Sequence, residues 1–339
     1  MKLAKANPVV GRAVTAAAVA GTCLVTASCS ALGLSSESSE KFPSKPIEYV
    51  VPYKPGGSSD PVAREFSRMV AEDLGTSSTV FNKPGGDEAI GITEVVTAKP
   101  DGHTLGLASA AGLVAQPLIN GSLQYDGVED VTPIAQMINT PYVLFVAADS
   151  PYKTLDDLIA DARKRPGKVR IGTANRLGGT GFTYFKLEDE AGVDLTEVPA
   201  AGGSGESALA VMGGEIEAFL ATGSGQLGLV ESGDLRALAY TGNEYGDVLP
   251  DAVSFEDAGY DIPFTAGYVT VAPKGLPDDV REQLVKSAEK VATSDEWVTW
   301  AEEQGNVPAA VVGDDLTQAL REQRKQFEAA LELADQHQD

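Results

Sequence analysis

A short turn rich in glycine and serine connects a predicted strand to a predicted amphipathic helix, and it is suited to binding an anion. This glycine turn consists of Pro55, Gly56, Gly57, Ser58, Ser59 and Asp60. Its glycines carry no Cβ, so a carboxylate can approach the main chain, and its serines add hydroxyl donors. Because the first N–H groups of a helix have no intrahelical partner, they offer an anion several donors at one point. We therefore expect a ligand here; the alternative is an ordinary turn that binds nothing.

Asp60, at the end of the glycine turn, has two interpretations. Followed by Pro61, it fits the N-cap and the first residue of the helix. A direct ligand contact is the less favoured interpretation, because a carboxylate beside an anion site would repel the anion.

The elements that would position this turn alternate between strands and helices, which is typical of an open α/β sheet. The alternating set occurs twice, which suggests two lobes. Predicted strands cover residues 47–51, 78–81, 104–108, 142–147, 169–173, 197–199, 216–220, 235–240 and 268–272. Predicted helices cover residues 61–74, 88–98, 154–165, 182–191, 205–212, 278–293, 295–304 and 314–334.

Residues 1–28 have the features of a secretory signal peptide. Basic residues precede an uncharged stretch rich in Ala and Val, which is shorter than the ~20 residues of a membrane span. Small residues then precede Cys29, in a context that resembles a bacterial lipobox. We expect a lipid on Cys29, a flexible tether over residues 29–41, and anchoring to the outer face of the cytoplasmic membrane.

The composition excludes some partners. The chain has 26 Lys and Arg against 49 Asp and Glu, a net charge of −23, and removal of the three basic residues of the signal region makes it −26. Nucleic acid is not an expected partner, since binding it relies on basic side chains. Cys29 would be the one thiol after removal of the signal peptide, so no disulfide or cysteine-based metal site can form. No cofactor or metal is expected.

Ordered motifs extend over nearly the whole chain after the tether. Residues 51–64 fit the pattern V-P-[FY]-x-P-G-G-x-x-D-x-x-A-R, residues 82–85 fit N-[RK]-P-G, and residues 98–105 fit A-x-P-D-G-x-T-L. In these motifs the chain resembles the substrate-binding proteins of tripartite tricarboxylate transporters, the Bug-type receptors. The resemblance implies a type II periplasmic-binding-protein fold, with two α/β lobes joined by two crossover strands and a ligand cleft between them.

The resemblance also implies the boundaries of the lobes and the residues of the cleft. The chain would cross near residues 142–146 and 268–273, so that residues 42–141 and 268–339 form lobe one and residues 142–267 form lobe two. Besides the glycine turn, the implied ligand-binding residues are Tyr53, Ser109, Ala110, Asn175, Arg176, Gly179, Thr180, Gly203, Ser204, Glu206, Thr222, Ser224 and Tyr268.

One of these loops, residues 173–181, mirrors the glycine turn, because it also follows a strand and leads through glycines into a helix. Two facing helix N-termini would hold a molecule with carboxylates. Arg176 could form a charge-assisted bond to a second carboxylate; the alternative is a solvated loop arginine. Glu206 is expected to cap its helix or to contact a ligand hydroxyl.

These features predict a non-catalytic receptor that acts as a monomer. It would bind a small organic carboxylate, such as a citrate-like di- or tricarboxylate, and deliver it to integral-membrane transporter subunits. One alternative is a receptor lobe that reports its ligand to a signalling partner.

Two enzyme classes are alternatives to the receptor. A nucleotide-dependent enzyme is suggested by residues 223–228, which read G-x-G-x-x-G with Glu244 about twenty residues on, although not at the start of a βαβ unit. A hydrolase is weaker still, because the chain has two histidines and no G-x-S-x-G element. Of these histidines, His103 is expected in a solvent-exposed turn.

Overall fold

The computed structural model of the protein describes residues 41–55, 59–174, 176–200 and 203–336. The predicted signal peptide, Cys29 and most of the predicted tether lie outside these residues. The strands are β1 (Ile47–Val51), β2 (Ser78–Asn82), β3 (Thr104–Ser109), β4 (Val131–Ala147), β5 (Arg170–Thr173), β6 (Thr196–Pro199), β7 (Ala218–Thr222), β8 (Leu235–Tyr240), β9 (Val253–Ser254) and β10 (Thr265–Pro273). The helices are α1 (Ser59–Asp73), α2 (Ala89–Val96), α3 (Gln116–Ile119), α4 (Leu155–Lys164), α5 (Gly179–Ala191), α6 (Ser204–Met212), α7 (Leu227–Glu231), α8 (Asp278–Ala292), α9 (Asp295–Glu303) and α10 (Gly313–Gln336).

The strands form a mixed sheet in the order β2-β1-β3-β10-β4-β7-β5-β6, with β8 paired to β4 and β9 paired to β8. Strands β1, β2 and β3 are parallel, and so are β5, β6 and β7. Between these two sets, β10 and β4 run antiparallel to their neighbours. Parallel strands need crossover connections, which the helices supply here. The predicted α/β class is confirmed.

Strand β4 is 17 residues long and changes its partners midway. Residues 131–141 pair with β10, whereas residues 142–147 pair with β7 and β8. Pro141 lies at the change of partner, and a proline has no N–H to donate to a ladder. The change falls beside Tyr142, where the motifs place the first crossing between lobes.

The sequence pattern predicts a strand only from residue 142 and so does not indicate the first half of β4. Prolines and polar residues interrupt its apolar alternation. Backbone pairing decides the conformation instead: the N–H groups of Gln136 and Asn139 each donate at 2.8 Å to the carbonyls of Val311 and Val307. These partners lie far along the chain, so no local pattern could indicate them.

Aromatic side chains fix the helices on the sheet. Trp297 of α9 is fully buried, packs edge-on against Phe66 of α1 at 4.9 Å, and donates its indole N–H to the Met137 carbonyl at 3.2 Å. Phe182 of α5, Phe264 and Phe327 of α10 form a second group, here called the aromatic cluster, with ring centroids 5.2 to 6.0 Å apart. The cluster holds the C-terminal helix against α5.

His103 is buried, so the expectation of an exposed turn histidine was wrong. Its Nε2 accepts the Ser44 N–H at 3.0 Å, and its ring packs edge-on against Phe42 at 5.1 Å. The residues before β1 fold back over this turn, which a local sequence pattern does not reveal. Within the described part of the chain, no helix is long and apolar enough to cross a membrane.

Candidate functional site

A cavity of about 540 Å³ opens where β1, β3, β4, β7 and β10 meet the starts of α5 and α6. Its volume lies within the range of about 300–1,000 Å³ that small-molecule pockets occupy. Seven of the residues predicted for the ligand site line it: Tyr53, Ser109, Gly179, Thr180, Ser204, Thr222 and Tyr268. The structure therefore brings together side chains from positions that are distant in the sequence.

Other predicted residues do not line this cavity, and some cannot be placed. Pro55, Ser59, Asp60, Ala110, Arg176, Gly203, Glu206 and Ser224 are not among the lining residues. Gly56, Gly57, Ser58 and Asn175 lie outside the described residues, so the centre of the glycine turn stays a prediction. Glu206 is exposed in the first turn of α6.

Asp60 does not line the cavity but supports Tyr53, which does. Helix α1 begins at Ser59, one residue before the expected cap, so Asp60 lies inside its first turn. The buried carboxylate accepts hydrogen bonds from Arg64 at 3.0 and 3.1 Å and from the Asn82 amide at 2.8 Å. The same Asn82 amide donates to the Tyr53 carbonyl at 3.0 Å. Asp60 thus helps to position Tyr53.

The side chain of Arg176 is engaged elsewhere. Its guanidinium forms an ion pair with Glu197 and lies 4.5 Å from the ring centroid of Phe185. Glu197 also accepts the hydroxyl of Thr173 at 2.7 Å. These contacts hold the start of the loop before α5 and keep the arginine away from the cavity.

The start of α5 presents backbone donors to the cavity. The helix begins at Gly179, three residues earlier than predicted, so Gly179 and Thr180 belong to its first turn. The Tyr142 hydroxyl lies directly against this turn. A Cβ added to Gly179 would be 1.9 Å from the hydroxyl oxygen. Thr180 closes the loop by accepting the Ala174 N–H at 3.2 Å.

The hydroxyl of Tyr142 has no hydrogen-bond partner within the described residues. Tyr142 is 7% exposed and lines the cavity. Burial raises the pKa of its phenol, so the hydroxyl stays a donor at neutral pH. The hydroxyl oxygen is open to the cavity, so a bound molecule can supply its partner.

Gln116 is a lining residue that the sequence did not indicate. Residues 108–112 were predicted to be a loop, but a π-helical turn, Ala111–Ala115, starts there and continues into α3. The Ser109 hydroxyl accepts the Gly112 N–H at 2.8 Å. Gln116 is 8% exposed, and its amide has no partner in the described ranges.

Glu88 is another lining residue that the sequence did not indicate. Its Oε1 accepts the hydroxyls of Tyr53 and Ser109, both at 2.5 Å, and its Oε2 accepts the Ser109 N–H at 2.9 Å. Partial removal from water raises the pKa of Glu88, while these hydrogen bonds act in the opposite direction. Burial and then the charge of Glu88 raise the pKa of Tyr53.

The backbone at Glu88 is unusual. Asp87 and Glu88 have φ values of 47° and 76°, and they are the non-glycine residues with positive φ in the part of the chain that the structure describes. Such conformations favour glycine and are often found at functional sites. In the sequence, the feature that could have indicated Glu88 is an acidic pair directly after Gly85 and Gly86 and before a helix. None of the family motifs includes this pair.

The features that suggested other chemistry do not line the cavity. The G-x-G-x-x-G segment ends in α7, which is five residues long, and a Cβ on Gly223 would lie 2.6 Å from the Tyr245 ring. Close packing on this ring thus accounts for Gly223. Among the described residues, no group of three or more His, Cys, Asp or Glu side chains could hold a metal ion.

The sheet order and the cavity at the strand ends fit a solute-binding protein with the periplasmic-binding-protein fold. The family model of the tripartite tricarboxylate transporter family receptors matches residues 62–334. The chain belongs to this family, which is a family of solute-binding receptors rather than of enzymes, and the recognition made from the motifs is confirmed.

Individual relatives agree with this assignment. The protein BugT of Bordetella pertussis is 29% identical over 280 residues, which are 82% of this chain and 85% of that protein. The structure of a TctC solute-binding protein from Polaromonas is 26% identical, with a TM-score of 0.75 over 86% of this chain and 99% of that one. The R. palustris protein Rpa4515, with adipate, shares the fold: it is 22% identical, with a TM-score of 0.76 over 87% of this chain and 98% of that one.

Proposed function

We propose that this protein captures a small organic carboxylate outside the cell and delivers it to the integral-membrane subunits of a tripartite tricarboxylate-type transporter. One observation carries the proposal: the Tyr142 hydroxyl, which has no partner among the described residues, lies over the first turn of α5 and lines the cavity. A hydroxyl and the N–H groups of a helix start are donors that suit a carboxylate. Membership of the receptor family supports the same ligand class.

The proposed location follows from the sequence. The signal peptide would direct export, and a lipid on Cys29 would hold the chain at the outer face of the cytoplasmic membrane, with residues 29–41 as the tether. The two lobes with the predicted boundaries would close on the ligand about the crossover strands, and the ligand would favour the closed population. The protein would act as a monomer.

The ligand class is tested by calorimetric titration of the full chain with succinate, malate, citrate and adipate. Adipate is included because a protein of the same fold contains it. Adipamide, the neutral diamide, is the control for adipate. We expect saturable binding of at least one carboxylate and none of adipamide. If neither these carboxylates nor aspartate and glutamate bound, or if the diamide bound as well as adipate, the assignment of a carboxylate site would be wrong.

The role of Tyr142 is tested by Tyr142→Phe, which removes the hydroxyl and keeps the ring. A hydrogen bond to a charged group contributes about 1.5–3 kcal/mol, so the carboxylate affinity should fall about ten-fold to a hundred-fold. Tyr240→Phe is the matched control: its hydroxyl also has no partner among the described residues, but Tyr240 does not line the cavity. Equal affinities for the two variants would exclude a direct role for Tyr142.

Delivery to a transporter requires a cellular experiment. Uptake of the radiolabelled carboxylate should stop in a strain that lacks this gene and return with the wild-type gene. Complementation with Cys29→Ala should restore less uptake and should abolish incorporation of labelled fatty acid. Uptake that continued without the gene would favour a sensory role over transport.

A further inference from the structure

Glu88 places a carboxylate inside the cavity and engages donors that a ligand carboxylate would otherwise use. The Tyr53 hydroxyl, the Ser109 hydroxyl and the Ser109 N–H, at residues predicted to bind the ligand, all donate to Glu88. The side chain also lies against the main chain of Gly112, where an added Cβ would be 2.3 Å from Oε2. The carboxylate is therefore packed and oriented.

The hydrogen bonds to Glu88 favour its charged form, and burial opposes it. All three partners donate to it, and an ionised carboxylate is an acceptor only. A carboxylate has about four acceptor positions, so three donors leave about one free. Because Glu88 lines the cavity and is half-buried, a bound molecule can reach it.

No positive charge of the described residues balances Glu88. It forms no ion pair with any Lys, Arg or His whose position the structure gives, and the internal gaps in the described ranges hold no basic residue, being Gly56, Gly57, Ser58, Asn175, Ala201 and Gly202. Lys54 also lines the cavity, but it is exposed and forms no ion pair with Glu88. A partly buried charge without a counter-charge is costly unless a ligand supplies one.

On the basis of the proposed carboxylate receptor, we propose that Glu88 determines specificity by accepting a protonated nitrogen of the ligand. The substrate class is then an amino-carboxylate, whose carboxylate lies at Tyr142 and the start of α5 and whose ammonium lies at Glu88. A ligand with only carboxylates would bring a second negative charge towards Glu88. The donors of Tyr53 and Ser109, which such a carboxylate would need, are already bonded to Glu88. The contacts with Tyr53 and Ser109 hold the carboxylate in place despite the positive φ at Glu88.

The first test needs no variant and compares matched probes on the full chain by calorimetry. One series replaces a carboxylate by an ammonium: glutarate against 4-aminobutyrate and adipate against 5-aminopentanoate. A second series adds an ammonium: succinate against aspartate and glutarate against glutamate. We expect an amino-carboxylate to bind about ten-fold to a hundred-fold more tightly than its partner, the effect of one charge-assisted contact.

The second test removes the charge with Glu88→Gln. The amide oxygen can accept the Ser109 N–H, and the amide NH₂ can donate to the two hydroxyls, so the side chain keeps its partners. Affinity for the amino-carboxylate should fall by a similar factor, and the preference over the dicarboxylate should disappear. Glu94→Gln is the matched control: Glu94 lies in α2, the helix that Glu88 precedes, and does not line the cavity, so both affinities should stay unchanged.

The outcomes separate this inference from the proposed function. The role of Glu88 would be overturned if the wild type bound dicarboxylates more tightly than amino-carboxylates and Glu88→Gln left the affinity for amino-carboxylates unchanged or raised it. The carboxylate receptor would then remain intact. Binding of 1,5-diaminopentane without any carboxylate probe would overturn the carboxylate receptor while an ammonium site at Glu88 remained. If none of the probes bound, both would be wrong.

Discussion

Gly179→Ala tests whether Tyr142 and the start of α5 form one wall of the site. The added Cβ would lie 1.9 Å from the Tyr142 hydroxyl and 2.3 Å from its ring carbon Cζ. An ordinary contact starts at 3.4 Å, so the hydroxyl and the helix start must separate by 3.4 − 1.9 = 1.5 Å. Tyr142 is buried, and a buried side chain cannot yield freely.

The expected effect has two parts. Overpacking costs about 1–3 kcal/mol, which for a chain of this size lowers the melting temperature by roughly 2 °C per kcal/mol. A separation of 1.5 Å also breaks any hydrogen bond that Tyr142 and the first turn of α5 make to one carboxylate. Affinity for whichever carboxylate probe binds best should therefore fall about ten-fold or more.

The assay is thermal unfolding of the full chain with and without that probe, together with its calorimetric titration. Gly228→Ala is the matched control, since Gly228 is also helical and a Cβ there would meet nothing within 4 Å. The control should keep its affinity and gain slightly in stability, because Ala favours a helix by about 0.5–1 kcal/mol over Gly. If Gly179→Ala matched the wild type in both melting temperature and affinity, the proposed wall would be refuted.

Three further predictions concern charge, packing and support of the site. The pKa of Glu88 is raised in the folded state above its ordinary value of 4.5, so the wild type loses stability as the pH rises through the folded pKa. The melting temperature of Glu88→Gln, measured relative to that of the wild type, should therefore increase from pH 4 to pH 8. A difference that stayed constant over this range would contradict the prediction. Phe327→Ala opens the aromatic cluster and should cost about 3–5 kcal/mol in urea unfolding, whereas a loss below about 1 kcal/mol would show that the ring is not packed there. Asn82→Ala removes the hydrogen bonds to Asp60 and to the Tyr53 carbonyl and should cost about 1–3 kcal/mol, and an unchanged urea midpoint would exclude that support.

The sequence predicted much of the local structure because its signals are local. Apolar periodicity indicated β1, α1, β3, α4 and α8 with bounds within a few residues of those observed. Motifs spread along the chain indicated the receptor family, because each needs only a few neighbouring residues. Six of the seven predicted residues that line the cavity can be recognised locally, because they stand at or just after a strand end or at a helix start; Tyr268 lies inside β10.

The tertiary structure decided the features that depend on distant contacts. Pairing with β10, supplemented by the segment before α10, makes the first half of β4 a strand, and residues before β1 bury His103. Arg176 is a candidate contact for a second ligand carboxylate in the sequence, but in the fold it forms an ion pair with Glu197. Glu88 was invisible to the motifs because its importance comes from Tyr53 and Ser109, which lie 35 residues before it and 21 residues after it. Sequence alone determined the elements and the family; the charge of the cavity was decided by which side chains the fold brings together.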